Sequence, residues 1–442
     1  MAITMNAFES MAVVTAMPAV AADLRGDRLY GAAFSAYMLA NLVSLVATGE
    51  QADRHGPARP FLAGVVALAA GLVVAALAPT MAFVVLGRVL QGAGAGALAS
   101  VSYVAIARVF PAERQPRLFA MLAAAWVVPS LLAPALAGVI TEEVGWRWVF
   151  AGLLPLLPVL VVLAYPSLRT LSAPKTDAAA DPTARRLPIA LLLAAGTGLA
   201  VGGLQSGRWW VAVPLTTVGI ALAAPAVRRL FPVGTFRARA GLPAAVASRL
   251  CVNVAFFGTD IFVPLAANRI HGVGTLAAGL VITGASLTWS TGAAISARQS
   301  ERRSPDRVVR FGFAIVAIGV AATAPVVFGS TPLWVTFACW TVAGLGVGLV
   351  FNTTSVSAMA GAPVGREGLV SSQLQTADTL GFAMVGGVGG ALVGLADRGT
   401  FSLSTALLVE FAIAATVAVV GMAAAGGVRR AAREPIAPVV RI

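Results

Sequence analysis

Six ionisable side chains stand inside long apolar stretches of the sequence, where they could take part in proton transfer or charge pairing. They are Glu9, Arg88, Arg249, Asp260, Asp378 and Glu410. An ionisable group in hydrocarbon costs about 3 kcal/mol or more, so each one is a functional hypothesis. Loss of hydration disfavours the charged form of a carboxyl group, which can then load and release a proton near physiological pH. The four acids are therefore candidate proton carriers.

Glu9 is the acid that we favour as the proton carrier. The alternative is a permanent ion pair with Arg88. A helix rises about 1.5 Å per residue, which places Arg88 roughly 10 Å from the start of its stretch and Glu9 roughly 20 Å from the end of its own. These two ends face the same side in an up-and-down arrangement. A direct pair between Glu9 and Arg88 is therefore not expected.

Asp260 and Asp378 are the further candidates for proton coupling, and each has a less specific interpretation. Asp260 could be a hydrated group near the outer end of its stretch, and Asp378 could be a hydrogen-bonded packing residue. Arg249 is close to the inner end of its stretch. A long side chain in that position can extend to water, and this interpretation of Arg249 is favoured.

The composition places these side chains on membrane-spanning elements. The chain has 442 residues, of which 58% are hydrophobic and 11% are charged. Its mean hydropathy is +0.87. A soluble protein has about 25% charged residues, because these residues cover its water-facing surface. The composition therefore excludes a soluble enzyme.

Fourteen hydrophobic segments are long enough to cross a bilayer, at about 20 residues per span. They lie at 3–23, 30–48, 61–79, 81–107, 118–140, 148–168, 188–205, 209–227, 243–268, 275–297, 308–329, 332–359, 369–395 and 401–425. The sequence thus predicts an all-α integral membrane protein with about 14 transmembrane helices.

The distribution of basic residues predicts the orientation of these spans. Twenty-three Lys and Arg residues lie in or at the edges of the loops after even-numbered spans or in the C-terminal tail, and six lie in the alternate loops. Basic residues are enriched in cytoplasmic loops. We therefore expect a multi-pass protein of the cell membrane with both termini in the cytoplasm. The same distribution explains the net charge of +13 without nucleic-acid binding.

The longest connection, 169–187, is the expected boundary between two halves of the chain. The expected order is a six-helix bundle (1–168), a cytoplasmic linker (169–187), a two-helix insert (188–240), a second six-helix bundle (241–425) and a cytoplasmic tail (426–442). The insert has no ionisable residue inside its apolar runs, which favours a peripheral position.

An internal repeat indicates that the two bundles are pseudo-symmetric. Three glycines in span 4 recur in span 12 at an offset of 252 residues: Gly92, Gly94 and Gly96 become Gly344, Gly346 and Gly348. Duplicated halves are typical of transporters, because rocking of one half against the other alternates access to a site between them. Glycines spaced by two do not share one helix face, so their physical role is left open.

Two motifs carry a resemblance to a known family. Gly49-Glu50-Gln51-Ala52-Asp53-Arg54-His55-Gly56 follows span 2 and has the pattern Gly-x-x-x-Asp-Arg-x-Gly, with Arg59 just beyond. Arg88-Val89-Leu90-Gln91-Gly92 in span 4 has the pattern Arg-x-x-Gln-Gly. With these motifs the chain resembles the major facilitator superfamily and, within it, the fourteen-span drug–proton antiporter branch.

Three further segments match that branch in part. In span 5 the pattern Gly-x-x-x-Gly-Pro-x-x-Gly-Gly is reduced to Pro129, Ala133-Pro134 and Ala137-Gly138. Trp146-Arg147-Trp148 opens span 6 as it does in drug exporters. The acidic residue nine positions before a proline in span 1 is Glu9, before Pro18.

The resemblance implies roles for these residues. Gly49, Asp53, Arg54, Gly56 and Arg59 would form the cytoplasmic gate. Pro129, Pro134 and Gly138 would form a kink in span 5. The central cavity would be faced by Glu9, Arg88, Asp260 and Asp378, whereas Glu410, in the last span, would lie away from it.

Polar and aromatic residues in the middle of spans complete the expected cavity. They are Gln91, Trp126, Trp289, Asn352 and Gln375. Either tryptophan could stack on a flat or cationic substrate, although core packing is the favoured interpretation of both.

The function predicted from these features is proton-driven export of a small, amphipathic or cationic organic molecule by a monomer. No Gly-x-x-x-x-Gly-Lys-Ser/Thr loop is present, so the energy is expected from an ion or substrate gradient. No cofactor and no metal site are predicted. Proton-coupled or facilitated uptake of a metabolite remains open, as does a non-transporting membrane sensor or scaffold.

Overall fold

The computed structural model describes residues 1–109, 125, 127–171, 186–299, 303–361 and 367–428. Over these ranges the chain forms α-helices joined by short connections, and no strand. In chain order the helices are α1 (Ala2–Asp23), α2 (Tyr30–His55), α3 (Ala58–Ala76), α4 (Met81–Val109), α5 (Val127–Glu143), α6 (Arg147–Ala151), α7 (Leu156–Arg169), α8 (Arg186–Gln205), α9 (Trp209–Leu230), α10 (Leu242–Asp260), α11 (Val263–His271), α12 (Thr275–Gln299), α13 (Pro305–Thr323), α14 (Leu333–Ala360), α15 (Glu367–Asp397) and α16 (Leu403–Ala424).

The predicted all-α membrane fold is confirmed. Within the described ranges, thirteen helical segments are long and apolar enough to cross a membrane. Each corresponds to one of the fourteen segments predicted from the sequence. The remaining segment, 118–140, begins outside the described residues, and its described part is α5, with 17 residues.

One predicted span is interrupted next to Asp260, one of its ionisable residues. The ninth predicted span forms two helices, α10 and α11, which meet at Asp260–Val263. Pro264 lies in the first turn of α11. Its ring lacks an N–H donor and would clash with the carbonyl of the residue four positions earlier, which is Asp260. The break therefore places the Asp260 side chain at the C-terminal end of a helix.

The repeated glycines show where the helices approach one another most closely. α4 packs against both α2 and α3, and α14 packs against both α12 and α13. A Cβ atom on Gly92 or Gly96 would overlap the backbone of α2, at Tyr37 and Asn41 respectively. A Cβ atom on Gly94 would instead meet Gly64 and Leu68 of α3.

The second set of glycines makes the corresponding contacts. Gly344 and Gly348 lie against the backbone of α12, at Ala285 and Trp289, and Gly346 lies against Gly312 of α13. The first and third glycines of each set are four residues apart and share a helix face, while the middle one faces another neighbour. Two-residue spacing thus serves two close helix contacts at once, and this answers the question that the sequence left open.

Besides the packing of α5 on α12 and of α2 on α15, α1–α7 and α10–α16 make polar contacts where α1 ends and α2 begins. Tyr30 donates a hydrogen bond to the carbonyl of Ile261 at 2.9 Å, and Ser35 donates to the carbonyl of Ala383 at 2.8 Å. Asp27 forms an ion pair with Arg269. These contacts hold the two parts together at one end of the helices.

The two inserted helices differ in their surroundings. α8 packs against α9 and also against α2 and α15. Val201 of α8 lies against Gly387 of α15, and Leu39 of α2 lies 3.7 Å from a Cβ atom placed on Gly198. Only 11% of the apolar stretch of α9 is buried inside the protein. α8 therefore contacts both sequence halves, whereas α9 lies on the outside.

Candidate functional site

Glu9 and Arg88 form a buried ion pair between α1 and α4. The side chain of Arg88 is 3% exposed and that of Glu9 is 2% exposed. The expectation that these residues are too far apart for a direct pair was wrong. It assumed that α1 and α4 begin at the same depth, but helix rise alone does not give the depth of one helix relative to another.

Gln91 and Tyr37 complete this N-terminal cluster. Gln91 accepts a 2.7 Å hydrogen bond from Arg88 Nη1 and donates to the carbonyl of Gly71 on α3 at 3.1 Å. The guanidinium carbon of Arg88 lies 4.0 Å from the centre of the Tyr37 ring. The Arg-x-x-Gln-Gly motif thus forms one unit, in which the arginine pairs, the glutamine orients it and Gly92 allows α2 to approach.

The hydrogen bonds of the Glu9–Arg88 pair are incomplete. Arg88 Nη1 donates to Glu9 Oε1. Glu9 Oε2 and Arg88 Nε are buried without a hydrogen-bond partner in the described part of the chain. A buried carboxylate oxygen without a donor loses its hydration and gains nothing in return. Protonation of Oε2 would remove the cost of burying the carboxylate charge and would at the same time weaken its attraction to Arg88.

Arg249 and Asp378 form the corresponding pair between α10 and α15. Arg249 Nε donates to Asp378 Oδ1 at 2.8 Å, and Arg249 Nη2 donates to Asp378 Oδ2. The interpretation that Arg249 extends to water was wrong, because its side chain is 8% exposed. The attraction of a carboxylate on a neighbouring helix, which no local sequence pattern reveals, outweighs hydration of the guanidinium group at the membrane surface.

Side chains from α10 and α14 hold the Arg249–Asp378 pair in place. Asn253 Nδ2 donates to Asp378 Oδ1 at 2.7 Å. Arg249 Nη1 donates to Ser355 Oγ at 2.8 Å, and the guanidinium carbon lies 3.7 Å from the centre of the Phe351 ring. Asp378 keeps 22% of its side-chain surface exposed. Arg249, Asn253 and Ser355 were not among the predicted site residues. The spacing of Arg249 and Asn253, four residues apart on one helix, is the signal that could have indicated them.

Asp260 is buried at the end of α10 and accepts a hydrogen bond from an indole. It is 2% exposed, and Trp340 Nε1 donates to its Oδ1 at 2.9 Å. The interpretation of Asp260 as a hydrated group near the outer interface was therefore wrong. The Trp340 ring stacks on Phe256 with centroids 4.6 Å apart, which fixes the position of the donor. A tryptophan 80 positions away in the sequence cannot be assigned to Asp260 from sequence alone.

Glu410 is a second buried acid without a charged neighbour in the described structure. It is 2% exposed, and its Oε2 has no hydrogen-bond partner there. Its carboxyl group faces Gly258 of α10, where the missing side chain leaves room for it. Glu410 therefore points towards α10 and not towards the Glu9–Arg88 cluster.

Aromatic rings extend from the Arg249–Asp378 pair towards the N-terminal half. The Trp289 ring centroid lies 5.0 Å from that of Phe351 and 6.0 Å from that of Phe257. Phe257 contacts Phe382 at 4.8 Å, and Phe382 lies 6.4 Å from Phe34 of α2. Trp289 is half-buried, so it packs in this row and still presents part of its ring.

The other predicted cavity residues that the structure describes, Asn352 and Gln375, are both half-buried. Asn352 is half-buried and donates to Ser296 Oγ at 3.1 Å, and Ser296 in turn contacts Thr353 Oγ1 at 2.7 Å. Gln375 is also half-buried, on α15 one turn from Asp378. Trp126 lies outside the described residues.

The predicted cytoplasmic gate spans the end of α2 and the start of α3. Gly56 ends α2 with φ = +85°, a conformation that favours glycine. A Cβ atom on Gly49 would lie 3.3 Å from Ser100 Oγ, so the motif glycine lies close to α4. Arg59 is exposed in the first turn of α3. Asp53 and Arg54 lie in α2, and their side chains are outside the described part of the structure.

The partial span-5 motif forms a close contact with α12. A Cβ atom on Gly138 would lie 2.6 Å from the Cα atom of Leu276. The carbonyl of Pro134 would lie 2.7 Å from a Cβ atom on Gly279. Pro129 is buried one turn earlier. Two of the residues predicted to kink α5, Pro134 and Gly138, thus lie where α5 packs against α12, and the kink itself stays a prediction.

Thirteen membrane-length helices with charged pairs buried among them define a multi-pass membrane protein. Within the described ranges, no three His, Cys, Asp or Glu side chains come together as a possible metal site. The chain belongs to the Major Facilitator Superfamily, whose family model matches residues 1–386. This membership, together with the transporters among its relatives, makes it a transporter and not an enzyme.

Similar proteins from two bacteria carry names that describe multidrug efflux. A "probable multidrug-efflux transporter" of Mycobacterium tuberculosis is 25% identical over 436 residues, which cover 95% of this chain and 91% of the relative. The multidrug efflux pump SdrM of Staphylococcus aureus is 24% identical over 301 residues, which cover 65% of each protein.

Solved structures share the fold at low sequence identity. A POT family transporter in complex with 5-aminolevulinic acid superposes with a TM-score of 0.69 at 13% identity, covering 97% of this chain and 96% of that one. A D-xylose–proton symporter superposes with a TM-score of 0.66 at 14% identity, covering 96% of this chain and 95% of that one.

Proposed function

We propose that this transporter exports small organic molecules in exchange for protons, as a member of the fourteen-span drug–proton antiporter branch. The observation that carries the proposal is the state of the Glu9 carboxyl group. One oxygen is bound by Arg88, and the other is buried without a partner in the described structure. Such an oxygen can take a proton, and protonation weakens the attraction that holds α1 to α4. Proton binding would thereby change how two cavity helices are joined.

Export of organic molecules is supported by the relatives. The proteins from M. tuberculosis and S. aureus carry names that describe multidrug efflux. The Trp146-Arg147-Trp148 segment that resembles drug exporters joins the ends of two spans. Trp146 Nε1 donates to Asp23 Oδ2 at 3.0 Å, which fixes the start of α6 against the end of α1.

Alternating access is supported by the contacts between the two sequence halves. Tyr30 and Ser35 donate to backbone carbonyls of α10–α16, close to the Asp27–Arg269 ion pair. By the predicted topology this end is extracellular, so these contacts close the outer side. A transporter of this type must break them in its other state. The gate motif at Gly49–Arg59 would then hold the cytoplasmic side.

An amphipathic or cationic substrate is supported by the aromatic row and by Asp378. Trp289 and Phe351 are half-buried and their rings contact each other, and the Phe351 ring packs on Arg249, the partner of the partly exposed Asp378 carboxylate. Aromatic faces attract cations, and apolar walls with few polar groups are typical of sites for small molecules. Asn352 and Gln375 would supply polar contacts in the same cavity.

The remaining features of the proposal come from the sequence. The protein would be a monomer in the cell membrane with both termini in the cytoplasm. It would consist of two pseudo-symmetric six-helix bundles at 1–168 and 241–425, with the insert between them. Asp260 and Asp378 stand as alternative proton-coupling residues to Glu9.

The experiment that tests the proposal measures gradient-driven transport in proteoliposomes. A panel of dyes and antibiotics, screened in a strain without its own exporters, first identifies a transported probe. Glu9→Gln should abolish uphill transport of this probe, because an amide does not exchange protons. Probe exchange without a pH gradient should survive, since it needs alternating access but no net proton movement.

Two controls separate coupling from folding. Glu410→Gln removes an equally buried acid that faces α10, and it should keep gradient dependence. The double variant Glu9→Gln/Arg88→Gln removes both charges, so that no unpaired charge remains buried. It should fold and still lack coupling. If Glu9→Gln keeps the wild-type gradient dependence, Asp260 or Asp378 becomes the coupling residue. If transport by the wild-type protein does not depend on the pH gradient, the protein is a facilitator and not an antiporter.

A further inference from the structure

Three arginines from separate connections meet in a cavity next to the two-helix insert. The cavity has a volume of about 480 Å³. Arg28 precedes α2, Arg208 precedes α9 and Arg398 follows α15. The lining consists of Arg28, Ser206, Gly207, Arg208, Val211 and Arg398. Residues far apart in the sequence thus bring three positive charges to one opening.

The positive charge of this cavity is only partly compensated. Arg398 Nη2 donates to the carbonyl of Gln205 at 2.8 Å, which holds its guanidinium group over Gly207. Arg28 and Arg208 are exposed, and neither forms an ion pair in the part of the chain that the structure describes. Asp397 is the acid whose charge acts on Arg28 and Arg398, while the carboxylate of Asp27 is bound by Arg269. An anionic group in the cavity would relieve the repulsion between the guanidinium groups.

The cavity lies where two membrane-length helices end, which is the expected position of the membrane surface, and beside the largely exposed helix α9. Ser206–Arg208 is a tight turn between two membrane-length helices. α9 begins with Trp209 and Trp210, which are 75% and 59% exposed, as expected for side chains at a membrane interface. The N-terminal end of α9 adds a partial positive charge beside Arg208. Below it, Val213 and Val218 are 61% and 50% exposed and face the hydrocarbon.

We propose that this cavity binds the phosphate group of an anionic phospholipid whose acyl chains lie along α9. Arginine suits phosphate because its planar group donates two hydrogen bonds to neighbouring oxygens. The apolar, exposed side of α9 directly below the cavity favours a lipid over a soluble anion. The bound headgroup would contact the α1–α2 connection, the insert and the α15–α16 connection at once. This gives the insert a role, as the element that completes a lipid site between the two halves.

The test compares lipid binding to two matched double variants by native mass spectrometry of the intact protein in detergent. Arg28→Gln/Arg208→Gln removes two charges from the cavity. Arg228→Gln/Arg229→Gln removes two exposed charges from the other end of α9. Phosphatidylglycerol, phosphatidylcholine and inorganic phosphate are titrated separately. We expect wild type and the Arg228/Arg229 variant to bind phosphatidylglycerol at least about tenfold more tightly than the Arg28/Arg208 variant, a difference of about 1.4 kcal/mol.

A third variant tests the cavity itself without a change of charge. Val211→Trp fills the cavity without altering any charge, and it should also weaken phosphatidylglycerol binding. Equal losses in both double variants would indicate diffuse attraction to the membrane surface and would overturn the proposal. Equal binding of phosphatidylcholine, displacement of the lipid by millimolar inorganic phosphate, or undiminished binding by Val211→Trp would overturn it as well. Because none of these measurements involves transport, the outcome does not depend on the proposed proton coupling.

Discussion

Arg249 binds both carboxylate oxygens of Asp378, whereas Arg88 binds only one oxygen of Glu9. Both pairs join helices within the membrane, but they differ in how completely the carboxylate is satisfied. Asp378 also accepts a hydrogen bond from Asn253, while Glu9 Oε2 has no partner in the described structure. A carboxylate whose two oxygens both accept hydrogen bonds from neighbouring helices is held in place more firmly than one with an unpaired oxygen. This contrast favours Glu9 as the proton carrier and the Arg249–Asp378 pair as a fixed link between α10 and α15.

If that link is fixed, removal of one partner should be costly. Arg249→Met leaves the charge of Asp378 largely buried and unpaired, and such a loss costs about 3–5 kcal/mol. The melting temperature of the purified protein in detergent should fall clearly below that of wild type.

The double variant Arg249→Met/Asp378→Leu provides the control for this prediction. It removes both charges, so its melting temperature should return towards that of wild type. A double variant as unstable as Arg249→Met would show that Arg249 contributes by packing on Phe351 and not by pairing with Asp378.

The hydrogen bond between Trp340 and Asp260 gives a second prediction. Trp340→Phe removes the indole donor and leaves a buried carboxyl group without it, at a cost of about 1–3 kcal/mol. Asp260→Asn keeps an oxygen that can accept the same bond and should be milder. The melting temperature of Trp340→Phe should therefore lie below that of Asp260→Asn. Asp260→Asn should also keep gradient-driven transport, and loss of the gradient dependence would make Asp260 the coupling residue.

The paired glycines give a third prediction, because both sets make the same kind of contact. Gly96→Ala and Gly348→Ala place a Cβ atom against the backbone of α2 and α12 respectively, and each should cost about 1–3 kcal/mol. Gly202→Ala is the matched control, since this helical glycine has nothing within 4 Å of an added Cβ atom. It should be neutral or stabilising by up to about 1 kcal/mol. Equal melting temperatures for all three variants would refute the close-contact role.

Fourth, the predicted orientation can be tested with single cysteines in a background with Cys251 and Cys339 replaced by alanine. Thr170 and Ser304 are exposed positions in predicted cytoplasmic connections, and Ser330 and Thr400 are exposed in predicted outer ones. An impermeant maleimide added to intact cells should label only the cysteines at 330 and 400. Labelling at 170 or 304 in intact cells would contradict the predicted topology.

Fifth, Asp53 tests the expected cytoplasmic gate. Asp53→Asn should slow transport and leave probe binding largely intact, because a gate residue acts on the conformational change and not on the site. Asp306→Asn, which removes an acid from the first turn of α13, is the matched control and should transport normally. Unchanged transport by Asp53→Asn at equal expression would remove the residue from the gate.

The sequence indicated several residues of the candidate site without their partners. It singled out Glu9, Arg88, Asp260 and Asp378 because a charge in an apolar segment is costly. It did not predict that Glu9 meets Arg88, that Asp378 meets Arg249, or that Trp340 supplies the donor to Asp260. Hydrophobic periodicity and length specify a helix in a membrane, but not its rotation or its depth relative to a neighbour. Partner identity depends on both quantities.

What the sequence by itself determined is the class of structure. The scarcity of charge and the lengths of the apolar segments require membrane-spanning helices, since hydrocarbon offers no hydrogen bonds to an open backbone. The family motifs then indicated the superfamily. Only the tertiary structure decided which face each glycine of Gly92–Gly96 presents, and that α8 contacts both α2 and α15. It also decided that Arg28, Arg208 and Arg398 share one cavity. These features arise from close packing between helices that are distant in the sequence, and the energies involved depend on distances of a few ångströms that a linear pattern does not encode.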